Sequence, residues 1–509
     1  MTADTPVLTT RHARTSRSAG MLNLLARRPE LTGAIALLML YIAVLSGRVY
    51  STDGALMFRQ AESIVYEQSL RFSIPFSERA PHITSRYGIG QTLLYLPGVY
   101  VYSLLNPNNG PTAMQGWDPH KFYNYEAYRY AGAVVNALIT ALTAYLVARL
   151  VTALGFGRSA ALWSLALFGL GSPAIAYVRS DWSQPLEALC WIAAVYQAFQ
   201  YSRSGRLADA LLCAFAVGYA VLTRPVEGVL IAMTAVFLVV PGLVVRRWGR
   251  RGWQGFLAVS AGLGVGVIIT LFINWGRFGS PWLSGYEGEG WTWDLATGVP
   301  GALVSPGRGI LWQFPAIVLA PFGARLLWRS GYEKLALALV GLVGVQFVNV
   351  ASWWMWWGGW NWGLRLFVPA LPLLAVLAGC AVATLGKRAA RWIPALLLII
   401  GIIWAVPCII TDISGGYARA YNTAASNFRL ESYPPIGAWT YFDHWLPQGE
   451  VDSRAADILW LRLAPATGNA SLIVPLVLIA GAALLWCLLV SMTRWSVEAK
   501  SGGPDRAVT

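Results

Sequence analysis

Charged residues are scarce in this sequence. Asp, Glu, Lys and Arg make up 12% of its 509 residues and hydrophobic residues 56%, whereas soluble domains carry ~25% charged residues. The apolar residues form runs, such as 31–46, 257–275 and 471–490, each close to the ~20 residues that a helix needs to cross a bilayer. The runs have no polar stripe at helical spacing. This excludes a large soluble helical protein and predicts an all-α polytopic membrane protein.

The sequence also lacks the usual cysteine and glycine motifs. Its five cysteines all fall inside hydrophobic runs, and none belongs to a C-x-x-C pair, so neither a disulfide framework nor a zinc site is indicated. Gly262 and Gly266 lie four residues apart in an apolar run, which is typical of helix packing in a membrane and not of dinucleotide binding. No nucleotide-binding loop is predicted.

The basic residues predict the orientation. About twelve spans are expected, near 31–47, 130–151, 159–178, 185–201, 207–223, 226–245, 256–275, 310–327, 333–352, 365–385, 393–411 and 471–491. With the N-terminus inside, basic clusters such as 246–251 and 387–388 fall on the cytoplasmic side, as the positive-inside rule requires. The net charge of +14 thus orients the protein in the plasma membrane, and no nucleic-acid partner is expected.

The predicted organisation places the long loops outside. Residues 1–30 read as a disordered cytoplasmic tail, 31–411 as a transmembrane catalytic module with outer loops 48–129 and 276–309, 412–470 as an outer loop, 471–491 as the last span and 492–509 as a cytoplasmic tail. The apolar run 89–105 is broken by Pro97 and Gly98, and counting it as a span would invert every later loop. We therefore expect juxtamembrane helices in the first outer loop and an extracytoplasmic site.

Asp53 lies at the membrane interface, directly after the first span. A carboxylate there can act as a general base toward an acceptor hydroxyl. The alternative is a structural N-cap of a helix over 55–66, because Asp caps helices well and Gly54 follows.

Four arginines are candidates for binding a phosphate. Arg277 and Arg308 lie in Gly/Pro-bounded turns, Arg86 precedes the run 89–105, and Arg365 stands at the mouth of a span. Guanidinium groups offer bidentate hydrogen bonds to phosphate. For Arg86, an interfacial contact with membrane lipid phosphate is the alternative. Arg179, Asp181, Glu187, Arg224 and Glu227 are interpreted as ion pairs that support the cavity wall.

The densest local signal is the tryptophan-rich stretch 353–362, which holds six tryptophans. Trp rings suit stacking on sugars, whereas an aromatic belt with helix packing is the structural alternative. Trp357 and Trp360, with Tyr87 and Tyr286 from the two earlier outer loops, are the candidate residues for binding the sugar or the acceptor.

Together and in this order, these motifs resemble the polyprenyl-phosphate-dependent glycosyltransferases with the membrane-embedded C-type fold (GT-C). The likeness is to the prokaryotic branch related to protein O-mannosyltransferases and lipid A aminoarabinose transferases. It rests on Asp53, on the stretches 85–91, 277–281, 305–309 and 357–365, and on Pro369. It covers roughly residues 31–411.

The resemblance implies a GT-C-like fold and a cell-envelope transferase that uses a polyprenyl-phosphate sugar donor. It implies that Asp53 is the base and that Arg86, Arg277, Arg308 and Arg365 hold the carrier phosphate. Many relatives have two adjacent acidic residues where this chain has Asp53 and Gly54, which leaves open a divalent metal and the acceptor, whether glycan, lipid or protein. The rival hypotheses are a transporter or flippase of lipid-linked sugars and a scaffold or ligase of preassembled glycans. Alternating access usually comes with internal repeats and a midplane site, and neither is seen.

Overall fold

The computed structural model describes residues 28–72, 84–111, 126–242, 248–413, 416–448 and 452–501. Residues 1–27 and 502–509 of the two predicted tails lie outside these ranges, as do Arg246 and Arg247 of the basic cluster 246–251. Within them the chain consists of α-helices, short 3-10 helices and connecting loops, with no β-strand. The all-α class is confirmed.

The N-terminal half consists of helices, most of which follow one another through short turns. These helices are α1 (Pro29–Ala43), α2 (Thr52–Tyr66), α3 (Ile89–Leu105), α4 (Glu126–Ala131), α5 (Val135–Ala153), α6 (Gly157–Gly169), α7 (Ala174–Tyr177), α8 (Gln184–Ser204), α9 (Leu207–Thr223), α10 (Pro225–Val239) and α11 (Arg250–Phe278).

In the C-terminal half, longer helices alternate with short ones. The helices are α12 (Leu295–Val304), α13 (Ile310–Gln313), α14 (Ala320–Arg329), α15 (Glu333–Ala351), α16 (Leu371–Val382), α17 (Ala389–Ile410), α18 (Tyr417–Ala420), α19 (Pro434–Gly437), α20 (Leu459–Thr467) and α21 (Ile473–Ser501). The 3-10 segment Arg365–Ala370 leads directly into α16.

Many of these helices suit a bilayer. In the described residues, six helical segments are long and apolar enough to cross a membrane: 126–153, 250–278, 333–351, 365–382, 389–410 and 470–490. Five shorter helices, α1, α3, α9, α10 and α12, are also apolar. Each of the predicted spans coincides with a helix or with helical pieces in series, so the polytopic membrane architecture is confirmed.

Close helix packing depends on small residues. α9 packs against α11, and a methyl group on Gly262 of α11 would lie 2.2 Å from the carbonyl oxygen of Ala214 in α9. Only a glycine allows the two backbones to approach this closely. The predicted packing role of the pair Gly262 and Gly266 is confirmed. Only 11% of the apolar window of α11 is buried within the protein, so most of this helix is available to lipid.

The packing of α2 against the helices that follow it positions the start of α2. α2 packs against α3, and between them lies an aromatic cluster in which Phe58 and Tyr95 approach edge to face at 5.4 Å and Phe58 and Tyr128 at 5.3 Å. Nearly every side chain from residue 54 to residue 63 is buried. This packing fixes the direction of α2, and therefore the place of Asp53 in its first turn.

A buried ionic network joins the end of the first predicted span to the segment 412–470. Arg48 donates to Asp412 at 2.7 Å, Arg179 pairs with Asp457 at 2.6 Å and Arg462 pairs with Asp457 at 3.0 Å. Both aspartate side chains are fully buried. Because unpaired buried charges are costly, this network anchors the segment 412–470 to the core.

Candidate active site

A cavity of about 750 Å³ opens where α2 and α3 meet the ends of α9 and α11. Its lining comes from the segments 50–53, 86–89, 182–183, 222–227, 270–277, 284–291 and 349–366, and from Asn422. Seven of the nine predicted site residues lie on this cavity. Arg308 and Trp357 do not.

Asp53 lies in the first turn of α2, but it is not the helix cap. The N-cap is Ser51, whose hydroxyl accepts a hydrogen bond from the backbone N–H of Gly54 at 2.9 Å. The structural alternative for Asp53 is therefore wrong. Its carboxylate instead accepts hydrogen bonds from Arg365 at 2.8 Å and from the Tyr87 hydroxyl at 2.7 Å, and its side chain remains 21% exposed.

The partners of Asp53 determine its ionisation. Burial favours the neutral acid, but the charge of Arg365 and the hydrogen bonds from Tyr87 and Arg365 outweigh burial and hold the pKa of Asp53 below its usual 3.8. The carboxylate is therefore ionised at neutral pH and available to accept a proton. Burial, together with the Asp53 charge, raises the pKa of Tyr87, which keeps that hydroxyl protonated as a donor.

Arg277 is the predicted phosphate ligand with the most unsatisfied hydrogen-bonding capacity. Its side chain is buried at the C-terminal end of α11 and lines the cavity. One Nη donates to the Tyr87 carbonyl oxygen at 2.7 Å, whereas its Nε and other Nη have no hydrogen-bond partner. Among the described residues it forms no ion pair. A buried guanidinium with two free N–H groups is a ready anion site.

Two other arginines on the cavity already have acidic partners. Arg86 pairs with Glu289 at 2.6 Å, and its guanidinium lies 4.8 Å from the centre of the Tyr286 ring. Arg224 pairs with Glu187 and with Glu227, each at 3.3 Å. The predicted ion pairs of Arg224 are therefore present, and the cavity wall carries carboxylates as well as guanidinium groups.

Arg308 has a different place from the one its motif suggests. It is fully buried and donates to the carbonyl oxygens of Asn361 at 2.9 Å and Gly359 at 3.2 Å. The structure therefore does not bring Arg308 to the cavity with the other arginines. Its hydrogen bonds instead support the tryptophan-rich turn on the side away from the cavity.

The tryptophan-rich stretch forms a tight turn whose Gly358, Gly359 and Gly363 all have positive φ (77°, 77° and 63°). Trp360 lines the cavity and is 40% exposed, so it is accessible for stacking. Trp357 instead directs its indole N–H toward Asn422 at 3.3 Å. Within this stretch, Trp360 therefore belongs to the cavity wall, whereas Trp357 packs away from it.

Two residues near the cavity have contacts that the sequence did not predict. Asp181 does not pair with Arg179, which binds Asp457 instead; its carboxylate contacts the start of α2. Asn422 brings the segment 412–470 into the cavity wall. No local pattern marks these residues, since each acts through a partner distant in sequence. No group of three or more His, Cys, Asp or Glu side chains that could hold a metal ion occurs in the part of the chain that the structure describes.

No protein-family model and no curated protein sequence matches this chain. Several solved structures, however, are similar to this chain. ArnT from Cupriavidus metallidurans in the apo state is 17% identical with a TM-score of 0.47, over 93% of this chain and 78% of that chain. The oligosaccharyltransferase AglB from Archaeoglobus fulgidus, in complex with an inhibitory peptide and a dolichol-phosphate, is 12% identical with a TM-score of 0.46, over 80% and 60%. The arabinosyltransferase EmbB from Mycobacterium smegmatis is 12% identical with a TM-score of 0.45, over 96% and 42%.

Proposed function

We propose that this chain is a membrane glycosyltransferase. It moves a sugar from a polyprenyl-phosphate donor to an acceptor hydroxyl on the extracytoplasmic face, with Asp53 as the general base. The observation that carries the proposal is the Asp53 carboxylate itself. It is ionised, reachable from a cavity of about 750 Å³ and relieved of a capping role by Ser51.

The position of Arg277 supports a phosphate that arrives from the membrane. Arg277 ends a 29-residue helix whose apolar window is mostly available to lipid, and it carries two unpartnered N–H groups. A phosphate on a polyprenyl chain can reach this point laterally while its chain stays in the bilayer. A nucleotide sugar has no matching feature, because the sequence contains no nucleotide-binding loop.

The reaction that follows is a single displacement at the anomeric carbon. The acceptor hydroxyl gives its proton to Asp53 while its oxygen forms a bond to the anomeric carbon. The bond from that carbon to the phosphate oxygen breaks, and its electron pair leaves with the polyprenyl phosphate. Arg277 stabilises the growing negative charge, as pre-placed donors do in other sites. One displacement inverts the sugar's configuration.

Arg365 links donor binding to the basicity of Asp53. In the ligand-free cavity its guanidinium binds Asp53, while its Nε has no partner. A donor phosphate competes with the carboxylate for this cation. As the phosphate takes up the positive charge, the pKa of Asp53 rises and the carboxylate becomes a stronger base. The base is thus strengthened when the donor is present.

Replacing Asp53 with asparagine tests the base. Asn keeps the size of the side chain and can still accept from Tyr87, but it has no useful basicity. We expect Asp53→Asn to lower the rate of sugar transfer by about 10²- to 10⁴-fold while thermal stability changes little. The measurement is transfer from a polyprenyl-phosphate sugar by purified protein in detergent.

The matched control is Asp294→Asn, because Asp294 caps α12 through its side chain and Asn caps about as well as Asp. The control should stay fully active. An Asp53→Asn enzyme as active as the control would remove Asp53 from the chemistry. Wild-type protein that moves the intact lipid-linked sugar across vesicles without releasing the carrier phosphate would favour the transporter instead.

Donor binding tests Arg277 separately. Arg277→Ala removes both unpartnered N–H groups, and hydrogen bonds to charged groups contribute about 1.5–3 kcal/mol, so we expect donor affinity to fall by about 10- to 100-fold. Arg277→Lys should recover part of it, since Lys keeps the charge without the bidentate geometry. Arg308→Lys is the comparison for a buried cavity-remote arginine. Unchanged donor affinity in Arg277→Ala would place the phosphate elsewhere.

A further inference from the structure

A carboxylate from a distant part of the chain holds the start of α2. The Ser51 hydroxyl accepts from the Gly54 N–H, which is the usual first half of a helix cap. The backbone N–H and the hydroxyl of Ser51 both donate to Oδ2 of Asp181, at 3.1 Å each, and the Tyr50 N–H donates to the same oxygen at 3.2 Å. Asp181 itself is fully buried.

These contacts have the pattern of a capping box in which the acidic residue comes from another segment of the chain. In an ordinary capping box, an acidic or amide side chain at the third helical position accepts from the N–H of the capping residue. That position is Gly54 here. A methyl group built on Gly54 would lie 2.0 Å from Asp181 Oδ2. The Asp181 carboxylate therefore occupies the space of a side chain at position 54 and makes the hydrogen bond that such a side chain would make.

The turn that carries Asp181 also contacts the partner of Asp53. Trp182 lies next to Asp181, and the Arg365 guanidinium sits 5.5 Å from the centre of the Trp182 ring. Asn136 holds this turn in place, because its side-chain amide donates to the carbonyl oxygens of Ser180 at 2.7 Å and Trp182 at 2.9 Å. The segment 180–182 thus contacts the start of the helix that carries Asp53 and also contacts Arg365, the partner of Asp53.

We propose that Asp181 is a positioning residue for Asp53, completing from another segment the cap of the helix that presents the base. The inference rests on the proposed transferase function. Asp181 contacts Ser51 and Tyr50 and touches no substrate in this proposal. Its effect reaches the reaction through the direction of the first turn of α2, and a displacement of a reacting group by about 1 Å can cost about 10²-fold in rate.

Exchanging the two side chains tests the proposal. Asp181→Gly removes the acceptor, and Gly54→Asp forces a side chain into occupied space, so each single variant should lose about 10- to 100-fold in kcat. The double variant Asp181→Gly/Gly54→Asp restores a carboxylate to the same space within an ordinary capping box. It should return to within about tenfold of wild type. Donor-lipid affinity should change much less than kcat throughout the series.

The control is Asp181→Gly/Gly54→Ala, which fills part of the space without an acceptor and should stay as impaired as Asp181→Gly. If the single variants fail to fold, two substitutions of similar size at Asp181 test the proposal instead. Asp181→Asn keeps an acceptor oxygen and should stay within about threefold of wild-type activity. Asp181→Leu lacks an acceptor and should lose activity. An exchange variant no better than the Ala control, or equal losses in Asn and Leu, overturns the role of Asp181. Wild-type protein without transfer activity overturns the proposed function itself.

Discussion

Single residues at this site act through the competition between oppositely charged partners. Arg365 binds Asp53 at 2.8 Å in the ligand-free cavity, and the donor phosphodiester, which also carries one negative charge, can compete for the same guanidinium. Arg86 and Arg224 already have carboxylate partners, whereas Arg277 has only a backbone carbonyl. In the proposed mechanism, Arg277 is therefore the arginine of the cavity best prepared to bind the donor phosphate, and Arg365 couples phosphate binding to the basicity of Asp53.

The pH dependence of transfer tests this link at the residue scale. Because Arg365 holds the pKa of Asp53 below 3.8, the Asp53 carboxylate stays ionised above that pH and its loss should appear only on strong acidification. In Arg365→Gln the burial of Asp53 is no longer opposed by that charge, so its pKa rises. We expect the acid limb of kcat/KM for the donor, which reports the ionisation of the free enzyme, to move to higher pH.

Arg86→Gln is the matched control, since Arg86 pairs with Glu289 and makes no contact with the Asp53 carboxylate. Its acid limb should coincide with that of wild type. An identical acid limb in Arg365→Gln and wild type would show that the ion pair does not control the base.

At the scale of elements, the site depends on where helices begin and how closely they cross. α2 begins at Thr52 because Ser51 caps it and Asp181 completes the cap. α9 and α11, whose ends border the cavity, cross at Gly262 and Gly266. The positions of Arg224 at the end of α9 and of Arg277 at the end of α11 follow from that crossing.

Substitutions at two glycines of α11 separate close packing from helix propensity. Gly262→Ala puts a methyl group 2.2 Å from the Ala214 carbonyl, and overpacking of this kind costs about 1–3 kcal/mol. Gly264→Ala meets no atom within 4 Å, so it should leave stability unchanged or raised. Thermal unfolding in detergent measures both. Equal midpoints for the two variants would mean that the helices separate readily at this crossing.

At the scale of the whole molecule, the cavity and the basic end of the protein lie at opposite ends of the same helix. α11 begins at Arg250 and brings Arg277 to the cavity at its other end. A helix of 29 residues is about 43 Å long, close to the ~40–45 Å of a bilayer with its headgroups. Together with the positive-inside rule, this predicts that the cavity faces the extracytoplasmic side.

Cysteine labelling tests that orientation. A cysteine in place of Thr292, which is exposed near the cavity, should react in intact cells with a membrane-impermeant reagent. A cysteine in place of Lys387, between α16 and α17, should react only after permeabilisation. A Cys487→Ser background removes the one exposed native cysteine of the described residues. Labelling in the reverse order would invert the topology and exclude an extracytoplasmic site.

The sequence by itself determined the class of protein and the approximate place of its helices, because apolar runs and basic loops are local properties that directly govern insertion into a bilayer. It also placed Asp53 just after the first predicted span. Only the tertiary structure decided which groups meet there. Arg365 stands 312 residues from Asp53, and Asp181 stands 130 residues from Ser51. Arg308 has a Gly/Pro-bounded sequence motif much like that of Arg277, but it is buried behind the tryptophan-rich turn and does not reach the cavity. A side chain's partners depend on how whole helices pack, and no local pattern encodes that packing.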